Sequence, residues 1–131
     1  MGKHNLEVVL FEVQRLRHIE GHSPKRVEWL KKKILSEKIW KVPLALDDQH
    51  GFVLDGQHRM EVAKALNLKK VPVVEFSYSK VLVRSLRPKY NFEWQDVVQR
   101  ALQGNIYPYK TVKHDFIVPL PRVSYRLDEL I

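Results

Sequence analysis

The residues best suited to chemistry lie in one short run, Asp55-Gly56-Gln57-His58-Arg59, between an apolar segment and a helical pattern. The backbone amides that open a helix have no partners within it, so they can donate hydrogen bonds to a phosphate. His58 and Arg59 add donors in the first turn, and a planar guanidinium suits paired bonds to phosphate oxygens. Asp55 can cap the helix or meet a magnesium ion through its carboxylate. The run therefore predicts a site for nucleotide phosphates.

The same run also has a purely structural interpretation. Asp55 would then be an ordinary N-cap, Gly56 a turn glycine, and His58 and Arg59 part of a solvated helix surface, because short matches of this kind arise by chance. The residues of the run alone leave both interpretations open. An apolar strand precedes the run and a helix of about three turns follows it, which is the setting that a phosphate-binding turn requires.

Sequence patterns predict the elements that must position this run. Residues 6–13 are rich in β-branched and aromatic side chains and predict a first strand. Ser23-Pro24 predicts a helix start, with serine at the N-cap and proline at the first helical position, and the helix is expected to end near Glu37. The apolar runs 42–46 and 52–54 flank a turn-rich connection and predict a hairpin.

The second half of the chain predicts two further strands and a helix. The strands are expected at 71–76 and 80–83, with Pro72 favouring an edge strand or a strand's first residue. A helix capped by Asn91 or the residue before it is expected to end at Gly104. A polar loop follows it. One domain over residues 1–131 accounts for all of these elements.

Composition narrows the class of protein. The 131 residues include 23 Lys+Arg against 15 Asp+Glu, a net charge of +8 that attracts polyanions, whether nucleotide or nucleic acid. The basic residues are dispersed, which weakens the inference of DNA binding. No apolar run approaches the roughly 18 residues of a membrane span. The absence of cysteine excludes disulfides, thiolate nucleophiles and zinc-thiolate sites and is compatible with a reducing, cytoplasmic setting, which we expect.

The stretch from Gly56 to Val73 resembles the nucleotide-binding core of the ParB/sulfiredoxin superfamily, where a G-x-H-R or G-E-R-R turn and a helix precede an x-V-P-V strand. The resemblance implies an α+β fold, with a small mixed sheet, flanking helices and a strand-turn-helix phosphate site. Sulfiredoxins have a cysteine where this chain has Gln57, so their reductase chemistry is excluded. ParB proteins carry G-E-R-R and an added helix-turn-helix DNA module, for which this chain has no length.

Within the superfamily the chain most resembles the free serine kinases, which phosphorylate L-serine with ADP or ATP. Leu16-Arg17-His18-Ile19-Glu20 resembles their leading segment, with its acidic residue ahead of the first helix. Asp55 to Arg59 match their D-G-x-H-R. Residues 104–114 resemble their closing loop, G-x-x-x-P-x-K-[ST]-T-[KR]-H, except that Val112 replaces the second hydroxyl residue. The resemblance implies a kinase that forms O-phosphoserine.

The resemblance also implies residue roles. Glu20 would be the catalytic acidic residue, since a carboxylate can orient a serine hydroxyl and accept its proton. Asp55 would be its catalytic partner, handling a proton or holding Mg²⁺ directly or indirectly. The nucleotide phosphates are assigned to Gly56, Gln57, His58, Arg59 and Lys110, and the amino-acid substrate to Thr111, Lys113, His114 and, more weakly, Arg87.

Several assignments keep an alternative. Residues 110–114 could hold the transferred phosphate instead of the substrate carboxylate, or be merely exposed, and Glu20 could be a solvated loop residue. A nucleotide-sensing module that binds nucleic acid is the alternative function, and its binding would weaken with salt. A ParB-like nuclease is disfavoured because no cluster of carboxylates surrounds Asp55.

The other histidines and the tryptophans receive structural interpretations. His4, His22 and His50 lack the spacing of metal ligands and are expected at the surface. The three tryptophans are expected in the core or at its rim, and the sequence does not select which of them could contact adenine: Trp29, Trp40 and Trp94.

Overall fold

The computed structural model describes residues 6–131, and this part of the chain forms three α-helices and eight strands. His4 lies outside that range, so its expected surface position is not tested. Apart from short 3-10 turns, the elements in chain order are β1 (Val9–Glu12), α1 (Pro24–Glu37), β2 (Ile39–Trp40), β3 (Leu44–Asp47), β4 (Val53–Asp55), α2 (Gln57–Ala65), β5 (Lys70–Phe76), β6 (Leu82–Ser85), α3 (Trp94–Leu102), β7 (Val112–Asp115) and β8 (Tyr125–Arg126).

Four strands form the central sheet in the order β1-β5-β3-β4. β5 pairs antiparallel with β1 and parallel with β3, so the sheet is mixed. β3 and β4 form the predicted antiparallel hairpin. Two smaller pairs, β2 with β8 and β6 with β7, are also antiparallel. The expected α+β fold with a small mixed sheet and flanking helices is confirmed.

The side chains of β3 alternate between two apolar cores, one on each face of the sheet. Leu44 and Leu46 enter the core that contains residues of α1 and α2, whereas Ala45 enters the core that contains residues of α3. The alternation follows from the two-residue repeat of a strand. β4 is the last strand of the sheet. The chain therefore leaves the sheet edge at Asp55 and enters α2 at once.

The first long helix begins and ends where the sequence predicts. The hydroxyl of Ser23 accepts a hydrogen bond from the Arg26 backbone N–H at 3.2 Å, and proline occupies the first turn. Lys38 closes the helix in the left-handed region, with φ 59°. Leu30 and Ile34 are buried against the first core. One apolar face of α1 is thus packed against the first core.

The prediction for Pro72 is wrong, because β5 is a central strand and Pro72 is its third residue. Pro72 pairs with Leu10 of β1, but the pairing with β3 begins only at Val73. At Pro72 itself the strand therefore has a neighbour on one side only. A proline that lacks an N–H is tolerated at such a position.

Two features of the second half also differ from expectation. The cap of α3 is Glu93, whose backbone N–H donates to Asp96 Oδ2 at 2.8 Å, and not Asn91 or the residue before it. The end of the predicted polar loop is strand β7, paired with β6 through His114 and Val83. Its buried and exposed residues alternate, but four residues are too few for a strong sequence signal. Within residues 6–131 no helix has the length and apolar character needed to cross a membrane.

Candidate active site

The three predicted segments meet at one cleft of about 400 Å³. Glu20 comes from the leading segment, the run Asp55 to Arg59 from the turn between β4 and α2, and Lys110, Lys113 and His114 from the closing loop. The first long helix, α1, supplies a further wall. Its residues at the cleft are Arg26, Trp29, Leu30 and Lys33.

The turn that opens α2 requires glycine. Gly56 has φ 115° and ψ 29°, in the region that residues with a Cβ rarely adopt. A Cβ at this position would lie 2.5 Å from Leu44 Cδ2. The backbone therefore packs directly on the central sheet as it enters the helix. The first-turn amides of Gln57 and His58 have no intrahelical acceptor, and both residues line the cleft.

Glu20 is tied to the closing loop. Its Oε1 accepts the backbone N–H of Thr111 at 3.0 Å and that of Val112 at 2.9 Å. Burial raises the pKa of Glu20 above its ordinary value of 4.5, although these two N–H groups and Arg87 oppose the shift. No hydrogen bond from the described residues reaches Oε2. One oxygen thus anchors the carboxylate at the cleft, and the other stays available to a ligand.

The imidazole of His58 has a defined donor atom. Its Nε2 accepts the Ser23 backbone N–H at 3.0 Å, so this nitrogen carries a lone pair and the neutral ring carries its hydrogen on Nδ1. Burial, followed by the charge of Arg26, lowers the pKa of His58 below 6.5. The ring also meets Tyr109 edge-on at 5.4 Å. His58 is therefore positioned as a neutral hydrogen-bond donor.

Asp55 and Arg59 keep their charged groups free at the cleft. Neither side chain forms a hydrogen bond or an ion pair with another residue in the described range. Burial lowers the pKa of the Arg59 guanidinium, and the nearby Asp55 carboxylate opposes that effect. Asp55 itself is exposed. The pair offers a guanidinium for phosphate oxygens and a carboxylate for a hard cation.

Three other predicted site residues are already engaged by the protein. The buried Gln57 amide donates to the Val53 carbonyl and faces His18 Nδ1, each at 2.5 Å. The Thr111 hydroxyl donates to the Pro108 carbonyl at 2.7 Å. Arg87 donates to the backbone carbonyls of Tyr109, at 2.5 Å, and Lys110, at 3.4 Å. Thr111 and Arg87 are not at the cleft. Gln57 can offer its backbone amide to phosphate, and the substrate roles of the other two stay predictions.

His114 lies at the inner end of the closing loop and is buried. Its Nε2 pairs with the Tyr78 hydroxyl at 2.7 Å. Burial lowers the pKa of His114 to about 4, in spite of the Leu54 carbonyl, and burial raises the pKa of Tyr78. The phenol is therefore the donor and the neutral imidazole is the acceptor. His114 borders the cleft, but its Nε2 is already hydrogen-bonded to the buried Tyr78 hydroxyl.

Sequence reasoning missed the α1 wall of the cleft. Trp29 was expected in the core or at its rim, yet its side chain is 63% exposed, whereas Trp40 is buried as expected. Lys33 lies over the Trp29 ring, with Nζ 5.5 Å from the centroid. The spacing Arg26, Trp29, Lys33 places all three on one helix face, and that spacing was the available signal.

Cations outnumber carboxylates around the cleft, which suits an anionic nucleotide. The five cationic residues at the cleft are Arg26, Lys33, Arg59, Lys110 and Lys113, and the two acidic residues are Glu20 and Asp55.

Comparison with known proteins gives one curated relative by sequence. No protein-family model matches the chain. Over 78 residues the chain is 36% identical to an ATP-dependent L-serine kinase of Staphylothermus marinus, a match that covers 56% of this chain. The matched region covers 31% of that relative, so the chain spans less than a third of its length.

Solved structures match nearly the whole chain. A free serine kinase in complex with AMP superposes with a TM-score of 0.84 at 14% identity, covering 96% of this chain and 94% of that one. The fold is that of a free serine kinase. The C-terminally truncated SbnI of Staphylococcus aureus also gives 0.84, at 15% identity over 94% of this chain and 88% of that one. A conserved hypothetical protein from Pyrococcus furiosus gives 0.72 at 13% identity, with 98% and 99% coverage. The resemblance expected from the sequence is confirmed.

Proposed function

We propose that this chain is a free amino-acid kinase that transfers a phosphoryl group from ATP or ADP to the hydroxyl of L-serine, forming O-phosphoserine. One observation carries the proposal: the Glu20 carboxylate and the helix start at Gly56 to Arg59 open onto the same cleft. A base for the hydroxyl and donors for the phosphates are the two parts that phosphoryl transfer needs. The L-serine kinase of Staphylothermus marinus supports the choice of acceptor.

In the proposed reaction the donor phosphates lie against the first-turn amides of α2. Arg59 and the Nδ1–H of His58 add hydrogen bonds to the phosphate oxygens. Glu20 Oε2 accepts the proton of the serine hydroxyl as the new O–P bond forms. The bond to the leaving nucleotide breaks, and the nucleotide keeps that electron pair. Asp55 fits the bound Mg²⁺ that would neutralise this charge, because its exposed carboxylate has no other ionic partner among the described residues.

The remaining cleft residues suggest where the two substrates lie. Trp29 is an exposed aromatic surface beside the cationic Lys33, and stacking on it would hold the adenine base. Lys110 and Lys113 are cations on the loop that Glu20 anchors. One of them would pair with the serine carboxylate and so bring the hydroxyl near Glu20. The cleft would then recognise the acceptor amino acid by its charge and its size.

The direct test supplies purified protein with Mg²⁺, L-serine and either ATP or ADP, and detects O-phosphoserine by mass spectrometry. We expect product with at least one donor, and little with L-alanine in place of serine, which lacks the hydroxyl. Glu75→Gln is the matched control, because Glu75 is exposed and away from the cleft. Absence of phosphoserine with both donors would contradict the proposal. Salt-sensitive binding of nucleic acid in that case would favour the alternative module.

A further inference from the structure

A second cluster of potential ligands lies outside the lining of the cleft. His18, His22 and Glu61 each present one ligand atom, and these atoms lie within 4.8 Å of one another. His18 Nε2 is 2.7 Å from Glu61 Oε2, and His22 Nε2 is 3.9 Å from Glu61 Oε1. The two imidazole rings stack with centroids 5.0 Å apart. None of the three residues lines the cleft.

The orientation of His18 is fixed from its other side. The Gln57 amide nitrogen donates to the Val53 carbonyl, so the amide oxygen Oε1 faces His18 Nδ1, at 2.5 Å. Nδ1 must therefore carry hydrogen, which leaves Nε2 facing a carboxylate oxygen. In a neutral ring, His18 Nε2 and Glu61 Oε2 are both acceptors. At 2.7 Å they require a proton or a metal cation between or beside them. A histidine that donates one N–H to an amide oxygen while its other nitrogen faces ligands is the arrangement found at metal sites.

We propose that His18, His22 and Glu61 bind a divalent transition metal of the zinc class, with its fourth position open to water. Two imidazoles and one carboxylate are ligands that Zn²⁺ accepts, whereas Mg²⁺ prefers oxygen alone. Tetrahedral bonds of about 2.0–2.2 Å would place the ligand atoms about 3.4 Å apart. The observed 2.7 Å and 3.9 Å lie on either side of that value, so small side-chain rotations complete the site.

Two basic side chains, Lys64 and His58, lie next to the cluster and could compete with a metal ion for its ligands. Lys64 Nζ is 3.6 Å from Glu61 Oε2, but its side chain is 44% exposed and can move into solvent. His58 approaches His22 edge-on at 6.2 Å and is held by the Ser23 amide.

The position of the site suggests what the metal does. His18 and His22 flank Glu20 in sequence, and Glu61 lies on α2, whose first turn forms the phosphate site. A metal bound by all three would cross-link the segment that carries Glu20 to the helix that holds the phosphates. Its role would be to fix the distance between them, and it would be distinct from the Mg²⁺ proposed at Asp55.

The test uses the full chain, stripped of metal by a chelator, without nucleotide or serine. Calorimetric titration with ZnCl₂ should show one equivalent bound, and Co²⁺ should give the visible absorption of a tetrahedral complex. Zn²⁺ should also raise the midpoint of thermal unfolding. Because no substrate is present, failure here leaves the proposed kinase activity untouched, and failure of the kinase assay leaves this result untouched.

Variants assign the ligands. His22→Ala should abolish the one-equivalent binding and the Co²⁺ spectrum, and it should fold because His22 anchors no backbone group in the described structure. Glu61→Gln should weaken binding as well. His50→Ala is the control, since His50 pairs with Asp47 away from the cluster, and it should bind like the wild type. Absence of stoichiometric binding, or binding that survives His22→Ala, would overturn the proposal and leave a proton as the cation between His18 and Glu61.

Discussion

The Glu20 carboxylate accepts the Val112 backbone N–H at 2.9 Å, across 92 residues of sequence. The Thr111 N–H reaches the same oxygen. One side chain therefore both anchors the closing loop and offers a free oxygen to the cleft. The structural and chemical roles of Glu20 can be separated, because a glutamine keeps an acceptor oxygen but loses the basic carboxylate.

Removal of the anchor should destabilise the fold. In Glu20→Ala two largely buried N–H groups lose their acceptor, and we expect the free energy of unfolding to fall by about 2 kcal/mol or more. Glu20→Gln should lose much less. Urea denaturation followed by circular dichroism measures both. Equal losses in the two variants would show that the loop does not depend on this acceptor.

Substitution of the turn glycine should weaken nucleotide binding. In Gly56→Ala the new Cβ would meet Leu44 Cδ2 at 2.5 Å in a backbone region that alanine avoids. The turn must shift, and its amides should move away from the phosphates. We expect the dissociation constant for ATP, measured by calorimetry, to rise about tenfold or more. Gly104→Ala is the matched control, with φ 73° and no heavy atom within 4 Å of the added Cβ. Equal ATP affinities in the two variants would contradict the prediction.

Trp29 should contribute to the affinity for the base. Trp29→Ala should weaken ATP binding about fivefold or more through lost stacking, whereas Trp29→Phe should retain most of the affinity. Leu35→Ala tests the loss of another exposed apolar side chain on the same helix. Fluorescence titration with ATP and with inorganic triphosphate measures the effect. If triphosphate binding falls as much as ATP binding, Trp29 does not contact the base.

Buried His114 should make the protein less stable in acid. Its folded pKa is about 4 against an ordinary 6.5, so between these values the unfolded chain binds more protons. Stability from this group is present above pH 6.5 and is lost as the pH falls toward 4, by roughly 2 to 3 kcal/mol. Urea unfolding at pH 7.0 and 4.5 should show a smaller difference for His114→Gln than for the wild type. An unchanged difference would mean that His114 does not titrate as its burial implies.

The sequence predicted the features that depend on local signals. Ser23-Pro24 marked the start of α1, and the apolar strand before Gly56 marked the strand-turn-helix, because caps and turns are determined by neighbouring residues. The inward direction of Gln57 could not be predicted, since it depends on His18 and Val53 in the folded chain. The cluster of His18, His22 and Glu61 could not be predicted either, because these residues come together only in the folded chain.

The strand β7 and the cap of α3 show the limits of local patterns. Val112 to Asp115 follow a loop rich in polar side chains, and their strand conformation comes from pairing with β6. Asn91 is a better intrinsic cap than Glu93, yet the helix starts after Glu93, whose backbone N–H donates to the Asp96 carboxylate. A distant partner strand thus determines β7, whereas the start of α3 depends on a side chain only three residues along the chain.

In the proposed mechanism Glu20 acts as the base for serine, at a cleft that binds the nucleotide independently of this carboxylate. The most direct measurement compares wild type and Glu20→Gln for ATP affinity by calorimetry and for the kcat of O-phosphoserine formation. We predict an unchanged dissociation constant for ATP and a kcat lowered about 100-fold or more. A Glu20→Gln variant that forms O-phosphoserine at the wild-type rate would show that Glu20 is not the base.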